Sequence, residues 1–261
     1  MKKFLIILIS IIAFLGVIVA SYFVMDTLFD PVGTSNVTVE ESSEPPIVKD
    51  PFLGAPVPKN EIPQGEEWFD DAIFIGDSLT VGLSAYKILD ENKVFASTGI
   101  NPQTILTKAC IEKNKTSLTV ADAIKDINAK KIYIMLGSNG VAFLSKDKVI
   151  ELYGEFIDNV KASHPDSQIY LQSIMPVTAS KEKEDDRYAN SKIDEYNDAI
   201  LDLATEKEVY FVYVAEAVKD ENGCLPDSAS SDGMHFGPSV YNLWLDYLRE
   251  HYVPLQSETI E

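Results

Sequence analysis

Cysteine and histidine are scarce in this chain. Cys110 and Cys224 are the only cysteines. That excludes a disulfide-rich scaffold, and it excludes a cysteine-only zinc site, which takes three or four ligands. The two are far apart in sequence and nothing local joins them, so free thiols are expected. Positive charge is also short. Twenty-two Lys and Arg face 41 Asp and Glu, a formal net charge of −19. Nucleic-acid binding needs cations to neutralise phosphates, and a polybasic membrane-surface patch needs them too; neither is expected. No phosphate-binding Gly-x-x-x-x-Gly-Lys-Ser/Thr and no dinucleotide Gly-x-Gly-x-x-Gly occurs. No cofactor is expected, nor a metal, although Asp227 and Asp232 with the serines between them are the one grouping that suggests a cation loop.

One stretch lacks charge altogether. From Phe4 to Met25 the chain runs 22 residues without an ionisable acid or base. As a helix this is roughly 33 Å long at about 1.5 Å per residue, enough for a hydrocarbon core of ~30 Å. Lys2 and Lys3 precede it, and Asp26 and Asp30 follow. That asymmetry predicts a cytoplasmic N-terminus and an extracytoplasmic remainder. Ile18-Val19-Ala20 is a possible cleavage site, but Ile18 is bulkier than such sites prefer, so an uncleaved anchor over 1–25 is expected. Residues 26–65 hold seven of the 13 prolines and show no helix or strand period. They read as a stiff acidic spacer. Residues 66–261 then form the folded domain.

Within 66–261 short apolar runs alternate with helical stripes. The runs are Ala72–Ile75, Lys93–Ala96, Lys131–Leu136, Gln168–Leu171 and Val209–Val214. Continuous rather than alternating apolarity suits parallel strands buried on both faces. The stripes are Val149, Leu152, Tyr153, Phe156, Ile157 and Val160; Ile193, Tyr196, Ile200, Leu203 and Ala204; and Val240, Leu243, Trp244, Tyr247 and Leu248. Alternating strands and helices predict a three-layer α/β/α sandwich, with ligands beyond the carboxyl ends of the strands.

Those ends carry the unusual residues. Gly76-Asp77-Ser78-Leu79-Thr80 ends the first strand and opens a helix. A serine there meets backbone N–H groups that favour developing negative charge, although capping is the commoner use of such a serine. Asp232-Gly233-Met234-His235 places a carboxylate three residues before an imidazole. That pairing suits a general base with a fixed tautomer. His164, before Pro165, and His251, in a last helical turn, have no carboxylate at that spacing upstream. Gly137-Ser138-Asn139 and Gly99 follow two further strands and could offer an amide and a backbone N–H to an oxyanion. The Gly-x-Ser-x-Gly pentapeptide of common α/β-hydrolases is absent.

Together the four blocks resemble the SGNH hydrolases, the GDSL lipase/esterase family, over about residues 68–252. Gly76-Asp77-Ser78-Leu79 matches Gly-Asp-Ser-Leu in full, and Asp232 and His235 match Asp-x-x-His. The resemblance implies a flavodoxin-like, five-stranded parallel sheet. It implies Ser78 as nucleophile, His235 as general base and Asp232 as the group orienting it. Ser78 and Gly99, through their N–H groups, and Asn139, through its amide, would form the oxyanion hole. Asp77 is expected to bond local backbone. Gly140 stands where the family's third block, Gly-x-Asn-Asp, has Asp. Its effect is expected to be a looser Asn139 or a cleft opened on the substrate side. The expected activity is a membrane-anchored, extracytoplasmic serine esterase that removes small acyl groups from carbohydrate or cell-wall esters. Acyl transfer to a sugar hydroxyl, lipid-ester hydrolysis and a non-catalytic carbohydrate-binding module are the alternatives.

Overall fold

Parallel strands with apolar residues on both sides need a helical layer on each face, and the computed structural model shows that arrangement. It describes residues 50–255. The expected membrane anchor and the first part of the expected spacer lie outside those residues. Among the described residues no helix is long and apolar enough to cross a membrane.

The strands are β1 (Ala72–Gly76), β2 (Val94–Ala96), β3 (Ile111–Lys113), β4 (Thr116–Leu118), β5 (Lys131–Met135), β6 (Gln168–Gln172) and β7 (Tyr210–Val212). The α-helices are α1 (Ser78–Ala85), α2 (Val120–Ile124), α3 (Ser138–Val141), α4 (Lys146–Ser163), α5 (Ala179–Glu184), α6 (Asn190–Glu206) and α7 (Pro238–Glu250). Five strands form one parallel sheet in the order β2-β1-β5-β6-β7. Successive strands run outward in opposite directions from the β1–β5 pair. In such sheets the crevice at that reversal is where ligands bind.

Each strand of the five-stranded sheet feeds two cores. Ile73, Ile75, Ile132, Ile134, Ile169 and Leu171 pack with α2, α4 and α6. Ala72, Phe74, Tyr133, Met135 and Tyr170 pack with α1, α7 and the Trp68–Phe69 turn. This is the three-layer sandwich the alternation predicts. Two of the three helical stripes are buried nearly as expected. In α7 the stripe is displaced: Leu243 is exposed, and Tyr241 and Leu245 are buried in its place beside Trp244 and Leu248.

Two segments depart from the expectations. Residues 50–65 are not a free spacer. Val57 is buried, its N–H donates to Phe211 O (2.8 Å), and Pro56 bridges Phe211 in parallel at the β7 edge. Asn60 and Gln64 donate to the Glu250 and Arg249 carbonyls at 2.8 Å each. The segment therefore covers an open sheet edge, a role that Pro56 and Pro58 suit because proline offers no N–H to further strands. The other departure is the β3–β4 hairpin. Asn114 and Lys115 both sit at positive φ (54° and 64°), the backbone of a tight hairpin turn.

Candidate active site

Ser78 is the first residue of α1 and directly follows the Asp77 cap. The Leu79 N–H donates to Asp77 Oδ1 (3.0 Å). Gly76 is required by space: a Cβ there would run into the Met135 carbonyl of β5 and the Thr80 side chain. The sharp exit from β1 leaves Ser78 partly exposed above the sheet while its neighbours Asp77 and Leu79 are buried.

His235 reaches Ser78 from a distant loop. Its Nε2 lies 2.8 Å from Ser78 Oγ, and its Nδ1 lies 2.7 Å from Asp232 Oδ2. The Asp232–His235 turn is held by Asp232 Oδ1, which accepts the N–H groups of Met234 (2.9 Å) and His235 (2.8 Å) and the Ser230 hydroxyl (3.1 Å). Partial burial pushes the Asp232 carboxyl up. The two N–H bonds and the His235 ring outweigh that and hold it well below the usual carboxylate range. An ionised Asp232 requires a proton on His235 Nδ1. That leaves Nε2 free to accept the Ser78 hydroxyl proton. The loop is anchored by its neighbour, since Thr178 N–H donates to Gly233 O (2.9 Å).

Asn139 approaches from β5. Gly137 precedes α3 with φ 139°, a conformation that turns the chain beneath the Ile174 side chain. Asn139 Nδ2 donates one hydrogen to Ile100 O (3.2 Å), which fixes the amide and leaves its second N–H. Asn139, Ser78 and His235 all line one cleft of about 230 Å³. Gly99 does not line it. It precedes Ile100, has φ 77° and is exposed, with nothing near where a side chain would point. The structure thus brings Ser78, His235, Asp232 and Asn139 together, while Gly99 stands off the cleft wall beside Ile100.

Gly140 neither lines nor opens the cleft. It is buried, and a Cβ there would lie 3.1 Å from Val149 Cγ2. A side chain at 140 would require Val149 to give by a few tenths of an ångström. His164 and His251 are structural. His164 Nε2 pairs with Ile127 O (3.1 Å), and His251 Nδ1 pairs with Tyr247 O (2.8 Å). Burial lowers the His251 pKa, and its ring closes the end of α7 through the Tyr247 carbonyl.

Asp77 has a larger electrostatic effect than a cap alone. Full burial pushes its carboxyl up to about 6, against the Leu79 N–H bond that lowers it. The unfolded chain ionises this group near its ordinary 3.8. Between about pH 4 and 6 the folded state therefore holds the extra proton, and this group's contribution to stability falls as pH rises through that window. Asp77→Asn keeps the capping oxygen and has no proton to lose. It is expected to stabilise the protein at pH 8 by on the order of 3 kcal/mol and to have little effect at pH 4. Thermal melts at the two pH values check this; equal shifts at both would refute it.

Sequence reasoning missed most of the cleft wall. Ile174, Met175, Pro176 and Val177 follow β6, and Tyr188, Ile193 and Met234 complete it. The spacing of Ile193 places it on a helical stripe and carries no sign of the cleft. The apolar run after β6, ending at Pro176, was the available signal.

Residues 74–243 match the GDSL-like lipase/acylhydrolase family. No curated protein matches the chain. Similar solved structures include a candidate platelet activating factor from Streptococcus pneumonia, 23% identical, with a TM-score of 0.56 over 69% of this chain and 82% of that one. A candidate acylhydrolase from Bacteroides fragilis is 16% identical, with a TM-score of 0.55 over 75% and 90%. A GDSL-like lipase from Bacteroides thetaiotaomicron is 17% identical, with a TM-score of 0.54 over 72% and 89%. At these identities the likeness establishes the fold. The family match itself spans well over half the chain and includes every residue of the site just described, so the chain belongs to the GDSL-like lipase/acylhydrolase family and is a serine ester hydrolase.

Proposed function

We propose that this hydrolase removes small acyl groups from carbohydrate or cell-wall esters on the outer side of a membrane, to which the apolar run over residues 4–25 tethers it. The Ser78–His235–Asp232 chain of contacts, at 2.8 and 2.7 Å, carries the chemical part of the reading. Ser78 Oγ attacks the ester carbonyl carbon while His235 Nε2 takes its proton. The carbonyl oxygen becomes an oxyanion that accepts hydrogen bonds from Asn139 Nδ2 and the Ser78 N–H group. The intermediate collapses, the carbon–oxygen bond to the alcohol breaks, and His235 returns the proton to the departing oxygen. Water, deprotonated by His235, then attacks the acyl-serine carbonyl and releases the carboxylic acid with Ser78 restored.

Acyl transfer to a sugar hydroxyl would use the same residues with the sugar in place of water. The His235 side chain is 50% exposed, so water reaches the base, and this favours hydrolysis. The topological part rests on the uncharged run and its flanking charges alone.

The test is p-nitrophenyl acetate and acetylated-glycan hydrolysis by the full chain, with and without an added sugar acceptor. Acetate release that ignores the acceptor supports hydrolysis; acylated acceptor supports transfer. Asn139→Ala is expected to lower kcat by about 10²–10³. Near-normal turnover in that variant would remove Asn139 from the oxyanion site.

A further inference from the structure

The mechanism above uses one end of the cleft and leaves its apolar wall without a role. That wall is formed by Val141, Ile174, Val177, Tyr188, Ile193 and Met234. Its backbone is held by two buried amides on one face of α6. Asn197 accepts the Ile174 N–H (2.7 Å) and donates to Ile174 O (3.1 Å). Asn190 accepts the Val177 N–H (3.0 Å) and donates to Val177 O (3.0 Å). Ile193 lies between them on that face, buried and lining the cleft. A loop bonded on both its N–H and C=O sides to a packed helix is preorganised, and so is the pocket it borders.

We propose, building on the esterase reading, that this wall is the acyl-chain site, that it takes short unbranched acyl chains longer than acetyl, and that Ile193 sets the accepted length. The chemistry of the wall excludes the alcohol as occupant. A sugar alcohol carries hydroxyls, and burying them against these side chains would leave them unpaired. The leaving oxygen must also sit at His235 Nε2, and that ring is half exposed. The alcohol therefore leads outward past His235 and the acyl chain turns inward. Volume bounds its length. On the scale of a ~150 Å³ apolar cavity that holds the six carbons of benzene, a cleft of 230 Å³ holds about eight or nine heavy atoms. Chains of about four to six carbons fit with the ester group included, and a long lipid chain does not. Each buried methylene adds about fourfold, from ~0.8 kcal/mol per CH₂ at 1.36 kcal/mol per tenfold.

The experiment is kcat/KM of the full chain on p-nitrophenyl acetate, butyrate, hexanoate, octanoate and palmitate, beside acetate esters of methanol, butanol and hexanol. Butyrate is expected to exceed acetate by about 15-fold, two methylenes' worth. The rate should fall beyond hexanoate, and the alcohol series should be flat. Ile193→Ala is expected to move the optimum to longer chains. Ile193→Phe is expected to lower the butyrate-to-acetate ratio about tenfold. Serine-dependent hydrolysis that is fastest on acetate, or that follows the alcohol chain instead, overturns the acyl site and leaves the esterase reading intact. Absence of hydrolysis on every ester overturns both. The native chain-length series decides the matter even where an Ile193 variant fails to fold.

Discussion

Ser78→Ala is expected to lower kcat for ester hydrolysis by on the order of 10⁶. The change removes only the oxygen that would form the acyl-enzyme. Ser78 is partly exposed, and the cap of α1 belongs to Asp77, so the fold should be unaffected. His235→Ala is expected to cause a loss of similar size, because an unactivated hydroxyl is a poor nucleophile at neutral pH. The double variant should be no worse than either single one, since the two act as one unit. Turnover on p-nitrophenyl acetate, corrected for spontaneous hydrolysis, measures all three. Ser78→Ala activity within tenfold of the native protein would place the hydrolysis elsewhere.

Asp232→Asn should lower kcat by about 10⁴ while leaving the melting temperature close to native. The asparagine oxygen can still accept the Met234 and His235 N–H groups, so the turn persists. Its NH₂ would now face His235 Nδ1, where the carboxylate oxygen lies 2.7 Å away. Two donors cannot share that contact. The ring must carry its proton on Nε2, the atom that has to accept from Ser78. The effect is thus a wrong tautomer rather than a broken loop. Parallel measurements of kcat and thermal stability separate the two. A loss below tenfold with native stability would remove Asp232 from the reaction.

The residues that do the chemistry were legible because each half of the site is local. Gly76, Asp77 and Ser78 form a strand exit, cap and first helical residue in consecutive positions. Asp232 and His235 meet across one turn. The five sheet strands were legible for a related reason: burial on both faces demands continuous apolar runs, and such runs show in a linear sequence. Asn139 was named from its place after β5, and the contact that orients it, to Ile100 O, is with another strand's loop.

What the sequence could not show depends on pairing between distant segments. Residues 50–65 are rich in proline and without period, which reads equally as spacer or strap. Only the β7 edge and the end of α7 decide that they are a strap. Gly140 follows Asn139 in sequence, but the space beside its Cα is taken by Val149 and not by the cleft. Leu243 belongs by spacing to the α7 stripe, but the centre of the buried face falls on Tyr241, Trp244 and Leu248. The cleft wall is the strongest case. Ile174 and Val177 are ordinary apolar residues after a strand, and Asn190 and Asn197 are ordinary polar residues on a helix. They become a preorganised pocket only when α6 packs beside β6 and its amides meet the loop backbone. The sequence by itself determined the class of fold and the reacting groups, because those are set by neighbours along the chain. The shape of the space beside Ser78 was decided by tertiary structure alone, because a cavity is bounded by residues that share no local pattern.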